Sequence, residues 1–155
     1  MNQLRKANEN DYNFIFNLNK TVYKDYAIKI WGSWDDEFQK QFCENRFKTE
    51  KVQIILDSEK EIGILELIEK EHQIYIEEIQ IEPNSQGRGI GTEIINDIKK
   101  TAFKLNYSVG LMVFKFNNRA KKLYEKLGFN VIDETETHYI MEASVDKKGF
   151  GVVKI

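Results

Sequence analysis

A glycine-rich segment in the middle of the chain has the residue types that bind an anion. Its residues alternate glycine with larger side chains, between a segment of strand-like alternation and one of helical period. A helix N-terminus offers backbone N–H groups without partners inside the helix, and glycine lets an anion approach that backbone closely. The segment therefore predicts a phosphate or pyrophosphate site made of Gln86, Gly87, Arg88, Gly89, Ile90, Gly91 and Thr92.

Two other nucleotide-binding motifs fit this glycine segment poorly. A dinucleotide fingerprint requires G-x-G-x-x-G near the first strand and an acidic residue about 20 positions later. Here the spacing is G-x-G-x-G, and strands are predicted ahead of it. A P-loop requires Gly-Lys-Ser or Gly-Lys-Thr, which the segment lacks. A plain connecting turn would not need three glycines at alternate positions.

The first half of the chain must bring a strand to this glycine segment. Apolar spacing predicts one helix around residues 14–22, and a second helix follows at 35–48 after the sequence Trp-Gly-Ser-Trp. Alternation of period two predicts antiparallel strands at 52–56 and 62–67, joined by a turn. A third strand, at 73–81, is terminated by Pro83.

The second half alternates helix and strand. It predicts a helix at 90–103, a strand at 109–114, a helix at 118–127 and a closing hairpin whose last strand includes residues 139–141. This alternation is typical of an α/β layer structure. Residues 1–142 are expected to form a single domain, and the tail at 143–155 shows no clear period.

Composition excludes several classes of function. The formal charge of the chain is −2 and it has no long run of Lys and Arg, so nucleic acid is not expected as a partner. No apolar run approaches the about 20 residues that span a bilayer, so we expect no membrane contact and a cytoplasmic location. Cys43 is the only cysteine, which disfavours a zinc site, and no metal is expected. We interpret Cys43 as a small buried residue rather than a nucleophile.

Two linked motifs resemble those of the GNAT superfamily of acetyltransferases. Residues 86–91 match its Q/R-x-x-G-x-G/A motif, and the preceding Ile81-Glu82-Pro83 looks like its V-x-P strand end. Downstream, residues 117–129 resemble the element N-x-x-A-x-x-L-Y-x-x-x-G-F. The resemblance covers about 4–141 and is strongest at 79–129.

This resemblance implies a fold and an activity. The fold would be a three-layer α+β arrangement with a mixed, mostly antiparallel sheet of about seven strands and about four helices, in the order βααβββαβαββ. The activity would be an N-acetyltransferase that moves an acetyl group from acetyl-CoA to a primary amine by direct attack within a ternary complex. The acceptor could be a small amine or a protein amine.

The resemblance also assigns residues to coenzyme A. The glycine segment would hold the pyrophosphate, and Asn117 would bond the pantetheine amides. A bulge in the strand that carries Ile79 and Ile81 would expose strand backbone to pantetheine, and a strand N–H would polarise the thioester carbonyl. Tyr124 would contact the sulfur and protonate the departing thiolate as general acid.

A general base is also required, because an alkyl amine with a pKa of about 10.4 is almost entirely protonated at pH 7. Glu77 and Glu78 lie on the strand that leads to the glycine segment. Strand alternation puts them on opposite faces without showing which one faces a cleft, and Glu77 is weakly preferred. His138 is an alternative base.

The acceptor site of the family is built from the first two helices and the last hairpin. The aromatic candidates there are Tyr23, Tyr26, Trp31, Trp34, Phe38 and Tyr139, of which Trp31, Trp34 and Tyr139 are preferred. An aromatic cluster of this kind could hold a cation, although these rings could equally close the core. Two other functions stay open: an acyl-CoA sensor without turnover, and a nucleotide-binding domain unrelated to acyl transfer. A homodimer is compatible with the resemblance.

Overall fold

The computed structural model describes residues 2–47 and 50–145. Its helices and strands follow the predicted order closely. Two short 3-10 helices, at Glu9–Asp11 and Pro83–Ser85, join longer elements. The strands are β1 Asn2–Lys6, β2 Val52–Asp57, β3 Lys60–Lys70, β4 Gln73–Ile81, β5 Ser108–Phe114, β6 Asn130–Glu134 and β7 His138–Ala143. The helices are α1 Tyr12–Trp31, α2 Asp36–Phe47, α3 Ile90–Lys104 and α4 Asn118–Lys126.

The strands form a seven-stranded mixed sheet in the order β1-β2-β3-β4-β5-β7-β6. The pairs β1–β2, β2–β3, β5–β7 and β6–β7 are antiparallel, and β4–β5 is parallel. This arrangement confirms the predicted fold class. By its contacts the chain divides into two compact units, and the first comprises the described residues of Met1–Leu67 with Glu78–Gly91. The second comprises Ile68–Glu77 and the described residues from Thr92 onward.

A side-chain cap starts the helical part of the first unit. The Asn8 side chain accepts a hydrogen bond from the Asn10 N–H at 2.9 Å, while the Asp11 carboxylate accepts one from the Asn8 N–H at 2.8 Å. This reciprocal pattern is a capping box. Arg5 donates two bonds to the buried Asp11, at 2.8 and 2.7 Å, and these bonds lower the pKa of Asp11 against the opposing effect of burial.

The core of the first unit joins one face of α1 to the sheet. Apolar residues three or four apart on α1 point to the same side, where strand side chains cover them. The buried cluster consists of Ile15, Phe16, Leu18, Cys43, Val52, Ile54 and Ile64. Cys43 is 2% exposed within this cluster, which agrees with its interpretation as a small core residue.

A two-residue hairpin turn and a close backbone contact position β3 in the first unit. The turn between β2 and β3 has positive φ at Ser58 (50°) and Glu59 (71°), the conformation that favours a two-residue hairpin. Further along β3, a Cβ added to Gly63 would lie 2.2 Å from the backbone oxygen of Gln80. Only glycine allows β3 to approach the end of β4 this closely.

The second unit contains the parallel part of the sheet. Residues Gln73 to Ile76 of β4 pair in register with Ser108 to Leu111 of β5, whereas β4 itself runs on to Ile81. Buried residues recur at helical spacing on α3, where Ile94, Ile95, Ile98 and Ala102 are all at most 7% exposed. The Gly128 that follows α4 has φ of 94°, the left-handed conformation typical of a glycine that ends a helix.

Two predicted boundaries concern residues that the structure describes only in part. The last strand runs to Ala143, one residue into the predicted tail, and residues 146–155 lie outside the described residues. The second helix is described to Phe47, and its predicted end at Lys48 also lies outside. The single domain at 1–142 stays a prediction.

Candidate functional site

The glycine segment begins where β4 ends. Pro83 opens a 3-10 turn after Ile81, and the buried Ser85 donates a hydrogen bond to Glu82 Oε1 at 3.0 Å. The Gln86 side chain turns back and donates from Nε2 to the Ile81 carbonyl at 2.8 Å. These two bonds hold the start of the loop against the end of β4.

Backbone conformation explains two of the three glycines. Gly87 and Gly89 have φ of 77° and 80°, in the left-handed region that side chains with Cβ rarely adopt. A Cβ added to Gly89 would have no heavy atom within 4 Å, so the backbone there faces open space. The buried Ile90 then begins α3. This geometry presents backbone N–H groups at a helix N-terminus, as an anion site requires.

Arg88 is the charged side chain of the glycine segment at 86–92. Its guanidinium donates to Asp57 Oδ2 at 2.9 Å, and about half of its side chain is exposed. Asp57 is the last residue of β2. The ion pair holds a cation beside the loop, although part of its charge is already matched by the carboxylate.

The two glutamates of β4 differ in their surroundings. Glu77 is exposed, whereas Glu78 is half-buried. Glu78 Oε2 accepts a 2.6 Å hydrogen bond from the Tyr23 hydroxyl of α1 and a 3.0 Å bond from Gln80 Nε2. The predicted alternation of the two side chains is what a regular strand gives. Which of them acts as base stays a prediction.

Tyr124 and Asn117 are positioned by α4. The Asn117 side-chain oxygen caps this helix by accepting from the Ala120 N–H at 3.2 Å, and Nδ2 is the donor end of the same amide. Tyr124 is half-buried, and its ring centroid lies 5.9 Å from that of Phe129 at an angle of 59°. The ring therefore packs against the residue that follows the Gly128 cap.

His138 lies at the start of β7. Its ring centroid is 4.1 Å from that of Phe114, and its Nδ1 lies 2.7 Å from the Thr137 hydroxyl oxygen. Burial lowers the pKa of His138 below its usual 6.5. The imidazole is therefore neutral at pH 7, the form that can accept a proton.

The preferred acceptor candidates Trp31, Trp34 and Tyr139 are split between the units. Trp31 is 68% exposed, and Trp34 is half-buried and donates from Nε1 to Asp36 Oδ1 at 2.6 Å. Trp34, followed by Lys20, lowers the pKa of Asp36. Tyr139 belongs to the second unit, where the Lys121 and Lys115 ammonium groups lie 5.1 and 5.5 Å from its ring centroid.

The sequence analysis missed a polar group around Glu78, because it named Tyr23 only as an acceptor candidate and did not pair it with Glu78. It includes Asn19 and Tyr23 of α1, which lie four and eight residues after the buried Ile15 and so share its face. Polar residues that continue an apolar helix face were the available signal. Gln80 of β4 is also in this group and is only 3% exposed.

Comparison with solved structures defines the class of fold. The PaiA N-acetyltransferase of Thermoplasma acidophilum, in complex with coenzyme A, superposes with a TM-score of 0.73 and 18% identity, over 94% of this chain and 99% of that one. Arabidopsis thaliana Naa50, in complex with a bisubstrate analogue, gives a TM-score of 0.65 and 19% identity, over 93% and 99%. The chain therefore has the fold of N-acetyltransferases.

Sequence similarity over most of the chain identifies the family. Residues 12–129 match the acetyltransferase (GNAT) family, and the chain belongs to it. This confirms the family predicted from the two motifs. The thialysine N-epsilon-acetyltransferase of Bos taurus is 37% identical over 68 residues, which cover 43% of this chain and 40% of that protein. The match thus spans about two fifths of the length of this curated relative.

Within the part of the chain that the structure describes, no helix is both long and apolar enough to cross a bilayer. In the same residues, no group of three or more His, Cys, Asp or Glu side chains could hold a metal ion.

Proposed function

We propose that this protein is an N-acetyltransferase that transfers an acetyl group from acetyl-CoA to a primary amine. The observation that carries the proposal is the glycine loop, because its two left-handed glycines and the start of α3 present an open backbone within the family motif. Acetyl-CoA supplies an activated acyl group as a thioester. A cytoplasmic location and a homodimer remain predictions of the sequence.

The residues of the loop fit the pyrophosphate of coenzyme A. The open space beside Gly89 admits an anion to the backbone, and the N-terminus of α3 contributes the positive end of its dipole. Arg88 can share its charge between Asp57 and a phosphate. The backbone of Ile79 and Ile81 and the Nδ2 of Asn117 would bond the pantetheine amides.

The proton steps need one base and one acid. A carboxylate of β4, Glu77 or Glu78, would take a proton from the acceptor ammonium, so that the nitrogen lone pair can form the new C–N bond. His138 is the alternative base. Tyr124 would donate its phenolic proton to sulfur as the C–S bond breaks, and the second proton of the nitrogen would replace it. The net products are the amide, the thiol and one released proton.

The acceptor class is a primary alkyl amine. Related proteins carry names that specify thialysine or, for Naa50, a bisubstrate analogue with a peptide. In the first unit, the Trp34 ring and the carboxylate of Asp36, which also pairs with Lys20 at 3.2 Å, would suit the cationic end of such an amine. The acceptor panel should therefore contain thialysine, lysine, polyamines and peptide N-termini.

Titration calorimetry with acetyl-CoA, followed by an assay of thiol release with each amine, tests this proposal. We expect saturable binding and thiol release that depends on the amine, with reactions lacking the amine as the control. Binding without release by any amine would favour the acyl-CoA sensor. Failure to bind acetyl-CoA would remove the proposal, and tighter binding of a nucleotide would favour a different class of domain.

A further inference from the structure

Four side chains of the first unit form what we call the Glu78 cluster: Asn19, Tyr23, Glu78 and Gln80. Tyr23 donates to Glu78 Oε2 at 2.6 Å, and Gln80 Nε2 donates to the same oxygen at 3.0 Å. Gln80 Nε2 also donates to Asn19 Oδ1 at 3.0 Å. Two neutral donors thus converge on one carboxylate oxygen.

Secondary structure sets this convergence. Asn19 and Tyr23 are four residues apart on α1, and Glu78 and Gln80 are two apart on β4, so each pair shares one face of its element. Glu77 points to the other face and is exposed. The cluster therefore distinguishes two glutamates that the sequence could not separate.

Gln80 is the buried member of the Glu78 cluster. Gln80 is 3% exposed, and among the described residues its Oε1 is a buried acceptor without a hydrogen-bond partner. Turning the amide over would place that oxygen against the Glu78 carboxylate. In its present orientation the amide donates to both neighbouring oxygens, Glu78 Oε2 and Asn19 Oδ1.

The cluster is also anchored at both ends. Asn19 Nδ2 donates to Gln39 Oε1 of α2 at 3.3 Å, which orients the oxygen that receives Gln80. On the strand side, the Gln80 backbone lies against Gly63, where an added Cβ would clash at 2.2 Å. A carboxylate held by anchored donors is pre-organised, as catalytic acids and bases require.

We propose that Glu78 is the carboxylate that takes the proton from the acceptor amine, and that Tyr23 and Gln80 are positioning residues that hold its Oε2. This inference rests on the acetyl transfer proposed above. In the step, the ammonium N–H bond breaks, its electron pair stays on nitrogen, and the proton passes to Glu78. Glu78 returns to the carboxylate by releasing that proton to solvent.

A double-mutant cycle tests the positioning role. We expect Glu78→Gln to lower kcat/KM by about 100-fold, the low end for loss of a general base, and Tyr23→Phe to lower it by about 10-fold. In the Glu78→Gln background, Tyr23→Phe should have no further effect, because Tyr23 acts through the carboxylate. A merely structural Tyr23 would give the same loss in both backgrounds and overturn the positioning role.

Matched variants make the cycle interpretable. Tyr12→Phe removes another α1 hydroxyl, which donates to the Lys40 carbonyl at 3.2 Å, and should leave kcat/KM within about twofold. Gln80→Leu removes the second donor and should also show no effect once Glu78 is replaced. This variant keeps the test decisive if Tyr23→Phe folds poorly.

A less basic acceptor separates proton removal from other roles of Glu78. With a fluorinated amine, which loses its proton more readily, the deficits of Glu78→Gln and Tyr23→Phe should shrink. Wild-type turnover with an unaffected Glu78→Gln, or a larger loss in Glu77→Gln, would overturn this inference and leave acetyl transfer standing. Absence of amine-dependent thiol release by the wild type would overturn both.

Discussion

At the scale of single residues, Tyr124 combines packing with chemistry in one side chain. Its ring lies 5.9 Å from Phe129, and its backbone carbonyl accepts from the N–H groups of Leu127 and Phe129 at 3.0 Å. These contacts use the ring and the main chain, and they would survive loss of the hydroxyl oxygen. The hydroxyl can therefore be removed as a test of chemistry without removing the packing.

The first prediction concerns this hydroxyl. We expect Tyr124→Phe to bind acetyl-CoA with unchanged affinity and to lower kcat by about 100-fold, since a general acid contributes on that order. Calorimetry and steady-state thiol release measure the two quantities. Tyr107→Phe, at a ring that contacts His72, is the matched control. Equal turnover in wild type and Tyr124→Phe would remove Tyr124 from the mechanism.

The parts of the site made by neighbouring residues could be predicted from the sequence, whereas the parts made by long-range contacts could not. The glycine loop was predictable because its residues are adjacent in sequence and glycine has a specific backbone role. The Glu78 cluster was not predictable, because Tyr23 and Glu78 are 55 positions apart in sequence. Their pairing depends on how α1 packs against the end of β4 within the first unit. Long-range pairing of polar side chains leaves no periodic pattern in the sequence.

At the scale of elements, the loop between β4 and α3 gives the second prediction. A Cβ on Gly91 would lie 3.5 Å from Ile81 Cδ1, an ordinary contact, so Gly91→Ala should fold normally. Gly91→Val should also fold but lose at least about tenfold in affinity for acetyl-CoA, because its branched side chain fills the approach to the α3 N-terminus.

Thermal unfolding and calorimetry on the same samples check this expectation. Gly91→Ala is the matched control for added bulk, whereas Gly89 is a poorer choice because its φ of 80° would strain any larger residue. Gly91→Val with normal affinity would contradict the assignment of the loop to coenzyme A. A parallel fall in melting temperature would instead indicate damage to the fold.

The third prediction concerns the end of α1. Gly32 has φ of 84°, donates its N–H to the Ile28 carbonyl at 2.8 Å, and has no heavy atom within 4 Å of an added Cβ. Gly32→Ala should therefore destabilise by about 1 kcal/mol through backbone strain alone. Gly32→Asn should cost less, because asparagine adopts this conformation more readily. Urea denaturation measures both, and equal stability of all three proteins would contradict the strain argument.

The elements themselves were largely predictable. Strand β4 has the predicted limits of 73 and 81, and α3 extends only one residue past its predicted end, because proline, glycine and apolar period mark these boundaries. β1 was expected only from the family resemblance. Its five residues lack a pattern of their own and are fixed by antiparallel pairing with β2.

At the scale of the whole molecule, two ionisable groups link stability to pH in separate ranges. In the first unit, the Arg5 hydrogen bonds lower the pKa of Asp11 below 3.8, so their contribution is present above that pH and is lost as pH falls below it. In the second unit, burial lowers the pKa of His138 below 6.5. As the pH falls, His138 is therefore protonated at a higher pH in the unfolded chain than in the folded chain.

The fourth prediction follows from that order of protonation. Between pH 6.5 and the lower folded pKa of His138, the unfolded state carries more protons, so the free energy of unfolding decreases as the pH falls. Replacing His138 with Gln should reduce the loss of stability between about pH 7.5 and about pH 5, because no imidazole then gains a proton on unfolding. Urea denaturation at the two pH values measures this difference.

Arg5→Gln provides the comparison. Removing the ion pair with Asp11 should lower stability similarly at both pH values, because the titration of Asp11 affects stability only below about pH 3.8. If wild type and His138→Gln lose equal stability over the interval, burial of His138 does not govern the response to mild acid.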